Sequence, residues 1–570
     1  MQTNPFDHKR FIGYVSKVSS DITQIHFPNS KLLKKFYYDG DVLHGGVVRN
    51  FVIIEGEGYG FLAKMVSIEL PEKERGFLSE TAFQNEDRMH PVGKIEIQLC
   101  FEIFGEMKVE KGLDQYPPVG SKVYACSPQL LQSFLKDFGK VDSCDDLLEL
   151  ATLQQDKGYP IKISANALFG RHCAIVGTTG GGKSYTIAKI IEELQKNDEA
   201  KIILLDATGE FDKFGENLEI GENCHFHYKN LQEEDFFALF RPAGQVQLPK
   251  LQEAIKSLKA VSINSSNEII NEEFPKSPKI KEGFLIKENT EKEGYLKFLT
   301  KKQTEIENPT TIFNIKNLPT QIFHECVGEW DEGKWGNTYQ RDKDNCASLV
   351  LRINSLIFNQ DSNAIFNFQE NLNEDNECVI KKIDKFIEDK NIDKIIRINL
   401  RKIPKDSDVS SILVNTIGRF LLKKATDGIF KSKPLIVFLD EAHLFLNKKI
   451  KDEYSIETSL NAFERIAKEC RKYGLFLCLS TQRPRDIPQG VLSQMGAFIV
   501  HRLINHFDKE AIENASPEGS KYVLSFLPSL GKGEAVLMGV DFPMPINLKI
   551  KEVSEKNKPN SDTPKLFQKK

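Results

Sequence analysis

The stretch His172-Cys173-Ala174-Ile175-Val176-Gly177-Thr178-Thr179-Gly180-Gly181-Gly182-Lys183-Ser184 decides the fold class. Its apolar half reads as a buried strand. It passes directly into a loop of the form GxxxxGK[ST], and then into a segment in which Ile187, Ile190, Ile191 and Leu194 share one helical face. Glycines let successive backbone N–H groups turn toward one anion, and the following helix adds its positive N-terminal end. A glycine-rich turn with an accidental lysine would lack this strand before it and helix behind it. Gly177, Thr178, Thr179, Gly180, Gly181, Gly182, Lys183, Ser184 and Tyr185 are therefore the candidate nucleotide-binding residues. Lys183 is expected to neutralise β- and γ-phosphate oxygens of ATP, and Ser184 to place its hydroxyl on Mg²⁺.

Outward from this motif, short apolar runs alternate with amphipathic helices, as in a parallel α/β sheet. Lys201 to Leu205, Ile395 to Leu400, Leu475 to Ser480, Ala497 to Val500 and Glu534 to Met538 read as strands. A further strand, Leu435-Ile436-Val437-Phe438-Leu439, ends in Asp440-Glu441, two carboxylates at the sheet edge where α/β ligands bind. Asp440 is expected to hold Mg²⁺ through water, and Glu441 to polarise the water that attacks the γ-phosphate. Together they point to hydrolysis. Gln482 is placed to reach the γ-phosphate or its water; a polar cap in a turn is the plainer reading. Arg471 lies at a helix end, where a surface cation is also favoured. Arg171, directly before the first strand, has a similar standing.

Further out the grammar changes. Residues 1–127 carry five or more alternating strands separated by turn-formers, which predicts a small β-barrel. Residues 128–159 read as a connecting helical segment. The α/β core then comprises 160–229 and 395–556, interrupted at 230–394 by a helical insertion. Within it, the Lys/Glu/Asn-rich stretch 272–310 is expected to be mobile. The tail 557–570 has little to bury.

A chain of 570 residues is long for one core, and about two to four domains are expected. Its 77 basic and 81 acidic side chains leave a net charge of -4, which excludes a global basic field. Any nucleic-acid contact must be a local patch. No run of about 18 apolar residues and no signal-like start is present, so a cytoplasmic protein without membrane segments is expected. The 10 cysteines include no CxxC pair, which argues against a zinc site or a disulfide framework. Cys224-His225-Phe226-His227 lacks ligand spacing and reads as a loop.

Four groups of residues carry a family resemblance: Gly177 to Ser184, Asp206-Ala207-Thr208-Gly209-Glu210-Phe211, Asp440-Glu441-Ala442-His443, and Arg471-Lys472-Tyr473-Gly474 through Ser480-Thr481-Gln482-Arg483-Pro484. They resemble the HerA branch of the HerA/FtsK superfamily. The resemblance runs from residue 11 to about 550 and includes the barrel, the insertion and the ending from Gly533 to Pro545. It implies a RecA-like P-loop ATPase core and a homohexameric ring that moves double-stranded DNA. It also implies a partner effector, a nuclease or, in anti-phage systems, a sirtuin-like NADase. Lys183, Ser184, Asp440 and Glu441 match the family's catalytic positions, and Gln482 its sensor. Arg471 stands where the family places an arginine finger, with Arg465 as rival and Arg171 as a second trans arginine. Ala207-Thr208 departs from the common Pro-His, which leaves the role of that turn open.

A ring tracking a duplex needs cations on its channel loops. Lys448, Lys449 and Lys451 are candidates, with solvated surface lysines as the alternative. No base-reading element is visible, so recognition without sequence specificity is expected. Two readings of function remain: a motor that feeds a partner effector, and an ATP-dependent scaffold and switch that regulates one. A conjugation or secretion ATPase of the same superfamily usually carries membrane segments, which this sequence lacks.

Overall fold

Cys173, Ala174, Ile175 and Val176 are all buried, and their strand pairs in parallel with Leu475–Thr481 on one side and Ala497–Val500 on the other. A strand with neighbours on both edges and both faces covered takes apolar residues throughout instead of alternating them. The computed structural model describes residues 4–561 except 78–87, 104–108, 111–114, 137, 141–146, 155–157, 197–199, 267–274, 276, 310, 332, 369–376, 390–393, 405–407, 447–448, 452–456 and 517–520.

The chain forms two compact units. The first comprises Met1–Asp198, Phe476–Arg485 and Gln489–Pro559; the second comprises Glu199–Leu475, Asp486–Pro488 and Asn560–Lys570. In the first, the parallel strands continue as an antiparallel series from Ala497–Val500 through Glu534–Gly539, Ile546–Ile550 and Leu147–Leu153 to Pro160–Ser164. Residues 128–159, expected to be helical and connecting, thus supply a sheet strand as well as the helix Pro128–Leu135. Pairing with Ile546–Ile550 overrides the helix propensity of its Leu, Glu and Ala.

The same unit contains the expected barrel. Thr23–His26 pairs with both Phe11–Lys17 and Val92–Glu102, which closes six antiparallel strands on themselves. Val52 and Ile54, then Phe61, Ala63 and Met65, point inward at the alternate positions that a strand dictates. The barrel is tied to the rest of its unit by polar as well as apolar contacts. Lys64 Nζ donates to Asn547 Oδ1 at 3.2 Å, the Arg49 guanidinium lies 4.8 Å over the Phe526 ring, and Phe101 meets Phe134 at 4.8 Å.

In the second unit four parallel strands lie in the order Leu435–Leu439, Lys201–Asp206, Ile395–Asn399 and Glu216–Glu219. Between Glu216–Glu219 and Ile395–Asn399 in sequence the chain forms helices, among them Gly244–Ser266, Leu318–His324 and Gln340–Phe358, and two hairpins. The charged stretch 272–310 differs from expectation in its described residues. They form the hairpin Lys279–Lys281 with Phe284–Ile286 and the helices Glu293–Lys301 and Gln303–Ile306. Leu285, Tyr295, Phe298 and Ile306 are buried against Ala260, Val261 and Ile263, so the polar composition conceals an apolar inner face; Lys287 and Lys292 are buried as well.

None of the described cysteines is in a disulfide, and no group of three or more metal-capable side chains occurs among the described residues. Among them no helix is long and apolar enough to cross a membrane.

Candidate nucleotide site

The phosphate loop is anchored to both neighbouring strand ends. Gly177 N donates to Thr481 O at 3.3 Å, while Thr178 donates to Arg502 O from its amide at 2.9 Å and from its hydroxyl at 3.1 Å. Gly180 and Gly182 have φ of 75° and 121°, which side-chain-bearing residues rarely adopt. The helix Lys183–Leu194 starts at the motif lysine, with Ser184 and Tyr185 in its first turn. Lys183 is buried, and Lys532 Nζ lies 6.0 Å from the Tyr185 ring centre. The structure brings Gln482 to this loop: Thr179 Oγ1 donates to Gln482 Oε1 at 2.6 Å.

One residue of this region escapes a motif reading. His501, fully buried at the end of Ala497–Val500, has Nδ1 2.9 Å from Glu534 O and Nε2 2.8 Å from Thr186 Oγ1. Burial, reinforced by the Lys183 charge, lowers its pKa to about 4 against a weaker opposing pull from the Glu534 bond. The ring is therefore neutral at pH 7. The available signal was a strand end, Ile499-Val500-His501, of the same form as Phe438-Leu439-Asp440.

In the second unit, Asp206 ends its strand fully buried and fully used. Its carboxylate accepts from Thr208 N at 3.2 Å, Gly209 N at 2.7 Å, Phe211 N at 3.1 Å and Arg397 Nε at 2.9 Å. It organises the turn that follows. Arg397 is itself buried, so removing it would strand a carboxylate in the core, a loss of about 3–5 kcal/mol. The turn presents Thr208, whose hydroxyl donates to Asp440 Oδ2 at 3.2 Å. Asp440 N in turn donates to Leu205 O at 3.1 Å.

Glu441 follows with φ 45° and ψ 48°, a left-handed conformation that costs a non-glycine residue of order 1–3 kcal/mol and recurs at functional sites. Its Oε2 lies 3.3 Å from His443 Nδ1. Asp440 is held well above the ordinary carboxylate range, first by burial and then by the charges of Glu441, Asp206 and Glu210, with the Thr208 bond opposing. An all-oxygen, carboxylate-rich corner of this kind fits a hard divalent cation.

The remaining candidates are dispersed. Arg471 begins the short 3₁₀ turn Arg471–Tyr473, is exposed, and makes no ion pair among the described residues. Arg465 is exposed and pairs with Glu469 at 3.4 Å. Arg171 precedes the phosphate-loop strand, at the end opposite the loop, and pairs with Asp541 at 3.5 Å. Lys448 lies outside the described residues; Lys449 and Lys451 belong to the hairpin Lys449–Lys451 with Glu457–Ser459.

Two family models match the chain, one for the central domain of helicase HerA over residues 148–420 and one for the HerA-like C-terminal domain over 426–548. A probable helicase of Methanocaldococcus jannaschii is 28% identical over 415 residues, 71% of this chain and 70% of that protein. The DNA double-strand break repair helicase HerA of Pyrococcus furiosus is 24% identical over 482 residues, 81% of this chain and 78% of that protein. Among solved structures, VirB4 of Thermoanaerobacter pseudethanolicus is similar with a TM-score of 0.46 at 13% identity, covering 73% of this chain and 99% of that one.

Proposed function

The chain belongs to the HerA helicase family, an ATPase of helicase type, and from that premise we propose that it is a ring motor that hydrolyses ATP to move along double-stranded DNA. The observation that carries the reading is the phosphate loop. Gly180 and Gly182 take up positive φ, Lys183 opens the helix, and Gln482 is hydrogen-bonded to Thr179 of the same loop.

In this reading the loop amides and Lys183 hold the β- and γ-phosphates. Ser184 and Asp440 hold Mg²⁺, which when bound offsets charge on the phosphate oxygens. Glu441 orients the attacking water, and Gln482 senses the γ-phosphate or that water. The charge that develops toward the leaving group calls for a further cation, and Arg471 of an adjacent copy supplies it, with Arg465 and Arg171 as the alternatives. Arg471's exposure and lack of an ion pair among the described residues support that choice.

The proposal includes a homohexamer, duplex DNA gripped without sequence preference, and a protein effector of nuclease or sirtuin-like NADase type working beside it in anti-phage defence. These parts rest on the family resemblance. The test is ATPase turnover measured with duplexes of increasing length. Stimulation that grows with length supports the motor. Unstimulated turnover, with effector captured only when nucleotide is bound, would support the scaffold and switch instead.

A further inference from the structure

The phosphate loop rests on an imidazole. His501 N donates to Val176 O at 2.7 Å, fixing the residue beside the last position of the strand that feeds the loop. A Cβ at Gly177 would lie 2.6 Å from His501 Cβ, one at Gly181 3.4 Å from the same atom, and one at Gly182 3.3 Å from His501 Cε1. Three of the loop's glycines therefore lie directly against this one side chain.

The ring's hydrogen bonds fix its tautomer. Glu534 O can only accept, so Nδ1, 2.9 Å away, carries the proton. Nε2 is then an acceptor, and Thr186 Oγ1 at 2.8 Å donates to it. The same hydroxyl lies 3.1 Å from Gly182 O, but that carbonyl already receives the Thr186 amide at 2.9 Å. The single hydroxyl proton goes to the buried ring nitrogen, which would otherwise lack a donor. A neutral ring suits this place, since an imidazolium could not accept from Thr186 and would oppose Lys183.

We propose that His501 is a positioning residue for nucleotide binding: by accepting from Thr186 and donating to Glu534, it sets the phosphate loop and the start of its helix against the neighbouring strand layer, and so fixes where the loop amides and Lys183 meet the phosphates. The inference rests on the reading of this loop as the nucleotide site.

The test uses the full-length protein, with dissociation of a fluorescent ATP analogue and steady-state ATPase as readouts, in His501→Asn, His501→Gln, Thr186→Val and the double variant His501→Asn/Thr186→Val. Asn retains a donor near Glu534 but cannot reach Thr186, whereas Gln places an acceptor where Nε2 stood. Losing the Thr186 bond should raise Kd and KM about tenfold in His501→Asn and in Thr186→Val, with kcat at saturating ATP within about twofold of the parent. The double variant should be little worse than either single one, and His501→Gln should recover most of the affinity.

A purely structural role would lower Tm without moving KM. If His501→Asn does not fold, Thr186→Val, which keeps the side-chain shape, carries the test alone. Parental Kd and KM in folded Thr186→Val would overturn the proposal. Lys183→Ala run in parallel separates the two failures. If it too binds like the parent, the reading of the loop is what fails; if it loses binding while Thr186→Val does not, only the role of His501 falls.

Discussion

Thr208 Oγ1 lies 3.2 Å from Asp440 Oδ2 and is a hydrogen-bond donor to a buried carboxylate crowded by Glu441, Asp206 and Glu210. The turn that departs from the Pro-His of the resemblance therefore has a defined task here. Asp206, neutralised by Arg397, gathers the turn's amides, and the turn aims a hydroxyl at Asp440. Thr208→Val removes that donor while keeping the side-chain shape. It should lower kcat about tenfold and raise the Mg²⁺ concentration needed for half-maximal turnover, whereas Thr208→Ser should stay within about threefold of the parent. Equal Mg²⁺ titrations for all three proteins would show that Asp440 does not need the hydroxyl.

In their proposed roles, Lys183 and Glu441 should fail in different ways when replaced. Lys183→Ala removes a cation from the phosphates and should abolish tight ATP binding, with turnover down by at least about 100-fold. Glu441→Gln removes only the group that orients water, so it should bind ATP and retain it unhydrolysed. Filter binding with labelled ATP distinguishes them; equal loss of binding in both would contradict these roles.

Lys64 makes stability depend on pH. It is 2% exposed in the barrel wall, and burial lowers its pKa to about 8, with Arg49 pushing the same way and Glu96 opposing. Between that value and 10.5 the unfolded chain holds a proton that the folded protein has shed, so stability rises with pH across this window; below it the cost of burying the charge is carried in full. Lys64→Met should lose this component. The stability of the parent relative to the variant should climb from pH 8 to 10.5 by on the order of 3 kcal/mol at most, read from denaturant midpoints. A pH-independent difference would contradict the account.

Legibility followed how local the determinants are. The phosphate loop was readable because Gly180, Gly182 and Lys183 carry its geometry within one contiguous motif, and Asp440 because an apolar strand points to it. His501 was not, because its meaning depends on Thr186 and Glu534, each far away in sequence. Leu147–Leu153 reads as part of a helical segment because Leu, Glu and Ala favour helices; pairing with Pro160–Ser164 on one edge and Ile546–Ile550 on the other makes it a strand. The stretch 272–310 hides Leu285, Tyr295, Phe298 and Ile306 among charged residues, of which Lys287 and Lys292 are themselves buried.

A ring with trans arginines predicts complementation. Lys183→Ala and Arg471→Ala proteins should each be inactive alone, since a finger contributes roughly a thousandfold or more in turnover. Mixed under conditions where subunits exchange, they form some interfaces with both groups intact, so ATPase should partly return. If exchange is demonstrated and activity does not return, while Arg465→Ala or Arg171→Ala does complement Lys183→Ala, the finger belongs to one of those residues.

Movement along duplex DNA is tested most directly by displacement of a triplex-forming oligonucleotide from a duplex, followed in time at several distances from the loading end. The account predicts release that requires ATP, is absent in Glu441→Gln, and shows a lag that lengthens with distance. ATP hydrolysis by the intact protein without release from any duplex would contradict it.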